Sequence, residues 1–286
     1  MTQPELHRKS CADNQKIDKA VLAGFHSFVN CNITKPSIFS MTEYELNAIR
    51  ELTIWQRVMV NKPSYLNRLA KKLQVKINSY IPEKVHGAIT VAIKQMFRVV
   101  LFGSKITTAD ARAEGSLEIR EAIVLEKIKF YKHTAAAEGG ITGAGGILLG
   151  LADFPLLLGI KIKLLFEIAS VYGFDLNDYR ERVYLLFIFQ LAFSSHENRK
   201  DVYLKMEDWS TFSRQLPDDI HQFDWRTFQQ EYRDYIDLAK MAQLIPVIGA
   251  PVGAVVNYRL ITKLGKTAMN AYRMRWHKSR LISAAS

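Results

Sequence analysis

The feature that most constrains this chain is a stretch of glycines and large aliphatic residues, GGITGAGGILLGLADFPLLLGI, at positions 139–160. Asp153 is its one charged residue before Lys161. The stretch lacks the strict alternation of a half-buried strand, and no Asn-Gly or Asp-Gly hairpin turn occurs anywhere in the chain. We therefore predict an all-α fold, a multi-helix bundle with glycine-rich apolar central helices and no sheet.

Several helix boundaries can be predicted locally. Thr42 to Glu45 forms a capping box that opens a helix running to about Val60. Residues 85–101 are predicted to form a largely apolar helix. Within the apolar stretch, Pro155 favours a break, because proline removes a helical hydrogen bond.

After that break we expect a new helix that ends at Tyr172. Gly173 follows it and suits the left-handed backbone conformation that closes many helices. A short apolar helix over residues 183–193 and helices around 197–212 and 225–241 complete the second half. One all-α unit is expected, with a possible soft boundary near residue 135.

Glycines four residues apart recur in the apolar stretches. Glycine inside a helix costs about 1 kcal/mol relative to alanine, so the repetition needs a reason, and close helix packing supplies one. The predicted helix-packing glycines are Gly139, Gly143, Gly146, Gly150, Gly249 and Gly253.

Two environments fit these stretches. They are either tightly packed within a folded bundle or partly inserted into a membrane. A continuous span needs about twenty apolar residues, and Asp153 with Pro155 disfavours a full crossing by residues 139–160. Residues 244–257 are too short to span alone. Both alternatives remain open at the level of sequence.

The charge is unevenly distributed. The chain carries 39 lysines and arginines against 28 acidic residues, a net charge of +11. Residues 238–286 contain no acidic residue, and a second basic segment lies within residues 52–109. Such asymmetry indicates an anionic partner, which we expect to be a lipid surface or a membrane protein complex. We expect no binding of nucleic acid, since no recognised module or aromatic platform accompanies the basic residues.

The residues expected to contact the anionic surface all carry a positive charge on predicted helices. They are Arg68, Lys71, Lys72, Lys76, Lys263, Lys266, Arg273, Arg275, Lys278 and Arg280. The chain has two cysteines and no apolar N-terminal segment, which favours a cytoplasmic protein peripheral to the inner membrane face.

No catalytic motif is evident. The sequence has no HExxH, CxxC or GxSxG pattern, so we predict no cofactor and no metal and lean towards a protein without enzymatic activity. Asp153 and Glu167 are the catalytic candidates, because a carboxylate in apolar sequence must be paired or protonated. Lys163 lies one helical turn from Glu167 and is its expected partner. The alternative function is a hydrolase or metal enzyme in which Asp153, Glu167 and Asn257 share a buried pocket.

Three blocks of sequence resemble the EcsC protein family. They are SYIPEKVHGAITVAIKQMF at 79–97, the block at 138–176 that contains the apolar stretch, and LIPVIGAPVGAVVNYRLITKLGKTAMNAYRMRW at 244–276. The resemblance covers roughly residues 50–280. The two later blocks also resemble, distantly, the membrane-associated helical domains of some Era-like GTPases, which implies a helical, membrane-proximal protein. The family takes its name from a bacterial gene beside ABC-transporter genes, which implies an accessory role in transport. The resemblance implies no established activity.

The resemblance also implies a domain division, with an N-terminal extension over residues 1–45 that carries one helix and an EcsC-like helical domain over residues 46–286. The positions that match the family blocks, beyond the glycines and Asp153 named above, are Gly140, Gly145, Tyr172, Gly173, Pro246, Asn257, Tyr258 and Arg259.

Overall fold

A computed structural model describes residues 41–61, 83–102, 115–144, 146–195, 198–224, 226–228, 230 and 250–285. The chain divides into two units, Tyr44–Lys278 and a second unit of residues 1–43 with 279–286. The second unit is described only at residues 41–43 and 279–285, all of them in or next to a helix. The suggested boundary near residue 135 falls inside a helix of the larger unit.

Every regular element in the described ranges is helical, as predicted, and no strand occurs there. The elements are α1 (Glu43–Val60), α2 (Glu83–Phe102), α3 (Leu117–Ala144), α4 (Gly146–Tyr172), α5 (Tyr179–Phe193), α6 (Arg199–Glu207), α7 (Trp209–Arg214), a 3-10 turn (Ile220–Gln222) and α8 (Ala250–Ala285). The bounds of α1 and α2 confirm the helices expected there.

Helices α3 and α4 form an antiparallel hairpin. Glu121 near the start of α3 is bonded to Tyr172 at the end of α4, and Tyr131 further along α3 is bonded to Glu167 further back along α4. The glycine-rich sequence therefore lies at the closed end of the hairpin. Gly139, Gly140 and Gly143 lie in α3, and Gly146 and Gly150 lie in α4.

The break predicted at Pro155 is wrong, because α4 continues through it from Gly146 to Tyr172. Pro155 is exposed, while Leu157 and Leu158 just after it are buried. A proline removes one backbone hydrogen bond, at a cost of about 3 kcal/mol. The burial of the apolar side chains that follow in α4 offsets that cost, since each fully buried leucine contributes about 1.5–3 kcal/mol.

The predicted end of α4 is confirmed. Gly173 has φ 89°, the left-handed region in which a side chain is strained. The Gly173 amide donates to the Ser170 carbonyl at 2.9 Å, and the Phe174 amide donates to the Ala169 carbonyl at 3.0 Å. These bonds satisfy carbonyls that the end of a helix leaves without partners.

Helix α5 lies at the centre of the core, and twelve of its fifteen residues are buried. It contacts α2 and α6, and α2 also contacts α4. Its N-terminus is fixed by Asp178, whose carboxylate accepts the Arg180 amide at 2.8 Å. A helix that is apolar on all sides can only be placed inside the bundle.

Helix α8 runs antiparallel to α3 and parallel to α4. Its contacts with α3 pair Gly265 with Ile128 and Arg273 with Glu121. Its contacts with α4 pair Asn257 with Lys161. One long helix thus links both arms of the hairpin along its length.

Gly265 is where α8 comes closest to α3. A Cβ atom placed on this glycine would lie 2.5 Å from Cγ1 and 2.7 Å from Cδ1 of Ile128. Real Cβ contacts do not occur at such distances, so the approach of the two helices requires glycine here.

In the part of the chain that the structure describes, every helix is too short or too polar to span a bilayer.

Candidate functional site

A buried carboxylate, Glu121, holds four helices together. Its side chain has no exposed surface, and it accepts two bonds from the Arg273 guanidinium, each 2.6 Å long. The hydroxyls of Tyr44 and Tyr172 donate to the same carboxylate at 2.6 and 2.9 Å. Arg273 also pairs with Glu51 at 2.7 Å. The cluster therefore joins α1, α3, α4 and α8.

The electrostatics of the cluster keep its two tyrosines neutral and its arginine charged. Burial, together with the bond to Glu121, raises the pKa of Tyr44 to about 12 and that of Tyr172 well above its ordinary value. Burial alone would lower the pKa of Arg273, but its bonds to Glu121 and Glu51 outweigh this and raise it. At neutral pH the two tyrosines are hydrogen-bond donors and the arginine is a cation.

A second arginine, half-buried, lies two positions along α8. Arg275 pairs with Glu181 of α5 through two bonds of 2.5 and 2.7 Å. Its guanidinium lies 3.9 Å from the ring centroid of Phe174 and 4.7 Å from that of Tyr184. Bidentate pairing and stacking are both suited to a planar guanidinium.

The buried Lys161 is bonded differently. Its Nζ donates to the carbonyl of Leu157 at 3.2 Å and to Oδ1 of Asn257 at 3.1 Å. Among the side chains that the structure describes, no carboxylate pairs with it. Burial without an opposite charge lowers the pKa of Lys161 to about 7. This ammonium group therefore titrates near neutral pH.

One side of α8 presents positive charge to solvent. We define the basic face as Tyr258, Arg259, Lys263 and Lys266 of α8 with Lys132 of α3. The four residues of α8 are exposed and follow helical spacing on one side. The Nζ of Lys132 lies 4.8 Å from the ring centroid of Tyr258, which ties the two helices together at this face. Helix α8 contains no acidic residue.

The structure separates the residues that we expected to contact an anionic surface. Lys263 and Lys266 are exposed, as such a contact requires. Arg273 and Arg275 were wrongly expected there, because their guanidinium groups turn into the protein and pair with Glu121 and Glu181. Lys278 lies 3.6 Å from Asp208.

Arg280 is half-buried in the last turns of α8. Four further expected residues lie outside the described ranges: Arg68, Lys71, Lys72 and Lys76.

The partner expected for Glu167 is also wrong. Glu167 pairs with Lys127 of α3 at 3.0 Å and accepts a bond from Tyr131 at 2.5 Å. Lys163, the expected partner on the same helix, is exposed. The reason is tertiary, because the antiparallel hairpin brings α3 side chains closer to Glu167 than its own helix does.

The three residues of the alternative pocket are not brought together by any described contact. Glu167 is bonded to α3, and Asn257 is bonded to Lys161. Asp153 lies in α4, and its side chain is outside the described part of the structure. Among the described residues, no group of three histidine, cysteine, aspartate or glutamate side chains has the arrangement of a metal site.

Some of the remaining family-block positions have a described place in the structure, and the others lie outside the described ranges. Tyr172 lies in the Glu121 cluster, Asn257 is buried beside Lys161, and Tyr258 and Arg259 lie on the basic face. Gly253 lies in α8. Gly145, Pro246 and Gly249 lie outside the described ranges. The role of the paired glycines in helix packing stays a prediction.

Sequence reasoning missed three residues that the structure brings forward: Glu121, Lys161 and Gly265. Glu121 looks like any other acid on a charged helix, and its burial depends on Arg273, 152 positions away. Lys161 could have been found, since a lysine within an apolar run on a buried helix must lose its hydration.

Comparison with known proteins places the chain in a family. The model described as "EcsC protein family" matches residues 46–276. The chain is 44% identical to "Protein EcsC" of Bacillus subtilis (strain 168) over 236 residues, 82% of this chain and 97% of that protein. It is 27% identical to "Uncharacterized protein YdbA" of the same organism, over 74% of this chain and 79% of that protein. No solved structure matches the chain. The family match covers most of the chain and includes Glu121, Lys161 and the basic face, so this protein belongs to the EcsC family.

Proposed function

We propose that this protein associates peripherally with an anionic membrane surface through the basic face of α8. The observation that carries the proposal is the basic face itself, where three cations are exposed on one side of a helix without acidic residues. Each lysine or arginine near an anionic surface contributes about 1 kcal/mol. This attraction falls off within a Debye length of the membrane surface. The cations must therefore lie on the same side of the protein to act together.

The aromatic and apolar residues beside these cations suit the same surface. Tyr258 is 37% exposed and Val255, one turn earlier on the same side of α8, is 50% exposed. A tyrosine has an apolar ring and a polar hydroxyl, which suits the headgroup level of a bilayer. Association is thereby peripheral, by charge with shallow aromatic contact. The accessory role beside a transport system stays a prediction from the family resemblance.

Vesicle flotation tests this proposal. The full chain should float with vesicles that contain phosphatidylglycerol and not with vesicles of phosphatidylcholine alone, and raising the salt from about 0.1 to 0.5 M should release it. The double variant Arg259→Glu/Lys266→Glu should bind the anionic vesicles at least about tenfold more weakly, because two attractive charges become repulsive.

The matched control is Lys94→Glu/Arg98→Glu, which makes the same charge change at two exposed positions one turn apart on α2. This variant should bind as the unchanged chain does. Equal binding to neutral and anionic vesicles would contradict the proposal. So would an equal loss in both double variants, since net charge alone would then account for the binding.

A further inference from the structure

A second surface of the molecule lies along the solvent side of α3. We define the outer face of α3 as seven exposed residues: Ile119, Ala122, Ile123, Glu126, Lys129, Phe130 and His133. They follow spacings of three and four, which place them on one side of a helix. This face meets the basic face at one end, where the ring centroid of His133 lies 5.9 Å from that of Tyr258.

The apolar residues of this face form a strip that Glu126 interrupts. Single exposed apolar residues are normal on a protein surface, whereas several aligned on one side of a helix point to an interaction site. Ile119 and Ile123 are one turn apart, and Phe130, which is 64% exposed, is two turns beyond Ile123 on the same side. The opposite side of α3 is fully used in the core, with Val124 and Ile128 buried. The strip is therefore on the side of this helix that the described core leaves open.

The charges at and beside this face are unevenly distributed along the helix. Up to the middle of the face, Glu118 and Glu126 outnumber Arg120. Beyond it, Lys129 and Lys132 outnumber Glu138, and Lys127 is paired with Glu167 of the same chain. An anionic membrane would be repelled by the first part, and a purely acidic or basic partner would match only half of the face. A surface with a net negative first half and a net positive second half is complementary to itself when it is turned around.

We propose that the outer face of α3 binds the same face of a second copy of this chain, with the two helices antiparallel about a two-fold axis. In such an interface each contact occurs twice, from residue i to residue j and from j to i. An axis between residues 127 and 128 places Glu126 at the level of Lys129 of the second copy.

The same register leaves space for large side chains and provides apolar contact along the interface between the two α3 helices. Ala122 comes to the level of His133 of the second copy, so a small residue meets a large one there. Ile123 lies within about 3 Å, measured along the helix axis, of the level of Phe130 of the second copy, because each residue advances a helix by about 1.5 Å. A two-fold axis perpendicular to the plane of the two α3 helices keeps the apolar strips of both copies on the same side of that plane, where they pack against each other.

Sedimentation velocity on the full chain tests the proposal. Between about 1 and 100 µM the chain should reach twice its monomer mass of 32.7 kDa. Phe130→Asp should remove the dimer, because it places a charge against the apolar strip of the second copy. Ile54→Asp is the matched control, since Ile54 on α1 is 63% exposed and lies outside this face. This control should dimerise as the unchanged chain does.

Charge reversal tests the antiparallel register. Glu126→Lys and Lys129→Glu should each weaken the dimer at least about tenfold, because each turns two attractive pairs into repulsive ones. An equimolar mixture of the two variants should restore dimers. One chain then carries lysine at both positions, the other carries glutamate at both, and both pairs are attractive across the axis.

Three results would overturn the proposal. The first is a single species of 32.7 kDa at every concentration. If Phe130→Asp then lowers the melting temperature of that monomer, a segment of the same chain covers the face instead. The second is a dimer that Phe130→Asp leaves intact, and the third is a mixture of charge variants that stays monomeric.

Discussion

Two cations are buried at opposite ends of the contact that α8 makes with the hairpin, and they are compensated in different ways. Arg273 pairs with Glu121 through two bonds of 2.6 Å, and its pKa is raised. Lys161 is held by a carbonyl and an amide oxygen, and its pKa falls to about 7. Both side chains are buried, so the difference comes from the acceptor. A carboxylate balances the charge, whereas neutral oxygens only orient it.

The comparison implies two different mechanical roles. The Arg273 end of α8 is locked at neutral pH, because three neighbours of Glu121 donate to one carboxylate. The Lys161 end can lose its charge near neutral pH, because its two described acceptors are neutral oxygens. Three substitutions test this contrast, and they are given from the largest expected effect to the smallest.

The largest effect is expected from Glu121→Ala, which removes the acceptor of the locked end. Arg273 then keeps only Glu51, and two tyrosine hydroxyls lose their acceptor. Removing one partner of a buried ion pair costs about 3–5 kcal/mol, so we expect a loss near the top of that range. Urea unfolding measures it. Glu118→Ala, at an exposed position on the same helix, is the control and should change stability by less than about 0.5 kcal/mol.

Should the variant remain within about 1 kcal/mol of the unchanged chain, the cluster would not be what locks α8. A double variant, Glu121→Gln with Arg273→Met, distinguishes pairing from packing. It should recover part of the loss, because it removes the uncompensated charge along with its partner.

An intermediate effect is expected from Lys161→Met, and it should depend on pH. The pKa of Lys161 is lower in the folded protein than in the unfolded chain, so between about pH 7 and 9 the unfolded state binds more protons. The stability of the unchanged chain should therefore rise with pH across this window, by up to about 1.4 kcal/mol per pH unit. Lys161→Met removes this contribution, so its advantage should be greatest at about pH 6–7 and shrink towards about pH 9.

Urea midpoints measured at about pH 6, 7, 8 and 9 give this difference directly. Lys163→Met is the control, since Lys163 is exposed two positions along α4 and should show the pH profile of the unchanged chain. A constant difference between Lys161→Met and the unchanged chain would show that Lys161 stays charged throughout, and the contrast between the two ends would then fail.

The smallest effect is expected from Lys127→Met. Lys127 pairs with Glu167 at 3.0 Å, but its side chain is 42% exposed. Exposed ion pairs contribute about 0–1 kcal/mol, and Tyr131 still donates to Glu167 after the change. We expect a loss of less than about 1 kcal/mol, measured by urea unfolding in low and high salt. A loss as large as that for Glu121→Ala would mean that solvent exposure does not determine how much each of these ion pairs contributes to the free energy of unfolding.

Local signals in the sequence predict the helices well. The capping box before α1, the largely apolar composition of α2 and Gly173 after α4 each depend on neighbours within a few positions. Pro155 is the exception, because its local preference for a break is outweighed by buried side chains that follow it. The all-α class follows from these signals together.

The partners of charged residues were less predictable. Arg273 and Arg275 are basic residues on a helix without acids, and nothing near them in sequence distinguishes them from Lys263 and Lys266. Their partners, Glu121 and Glu181, lie 152 and 94 positions away. Which side of α8 faces inward depends on its register against the hairpin, and that register is a property of the whole bundle.

The missing side chain at Gly265 has a consequence for comparing relatives of this protein. Because Ile128 occupies the volume where a methyl group would stand, the sizes of residues 265 and 128 are coupled. A relative with alanine at the first position would need a smaller residue at the second, such as alanine or glycine. Compensating substitutions at these two positions would indicate the register of α8 along α3 in relatives whose structures are unknown.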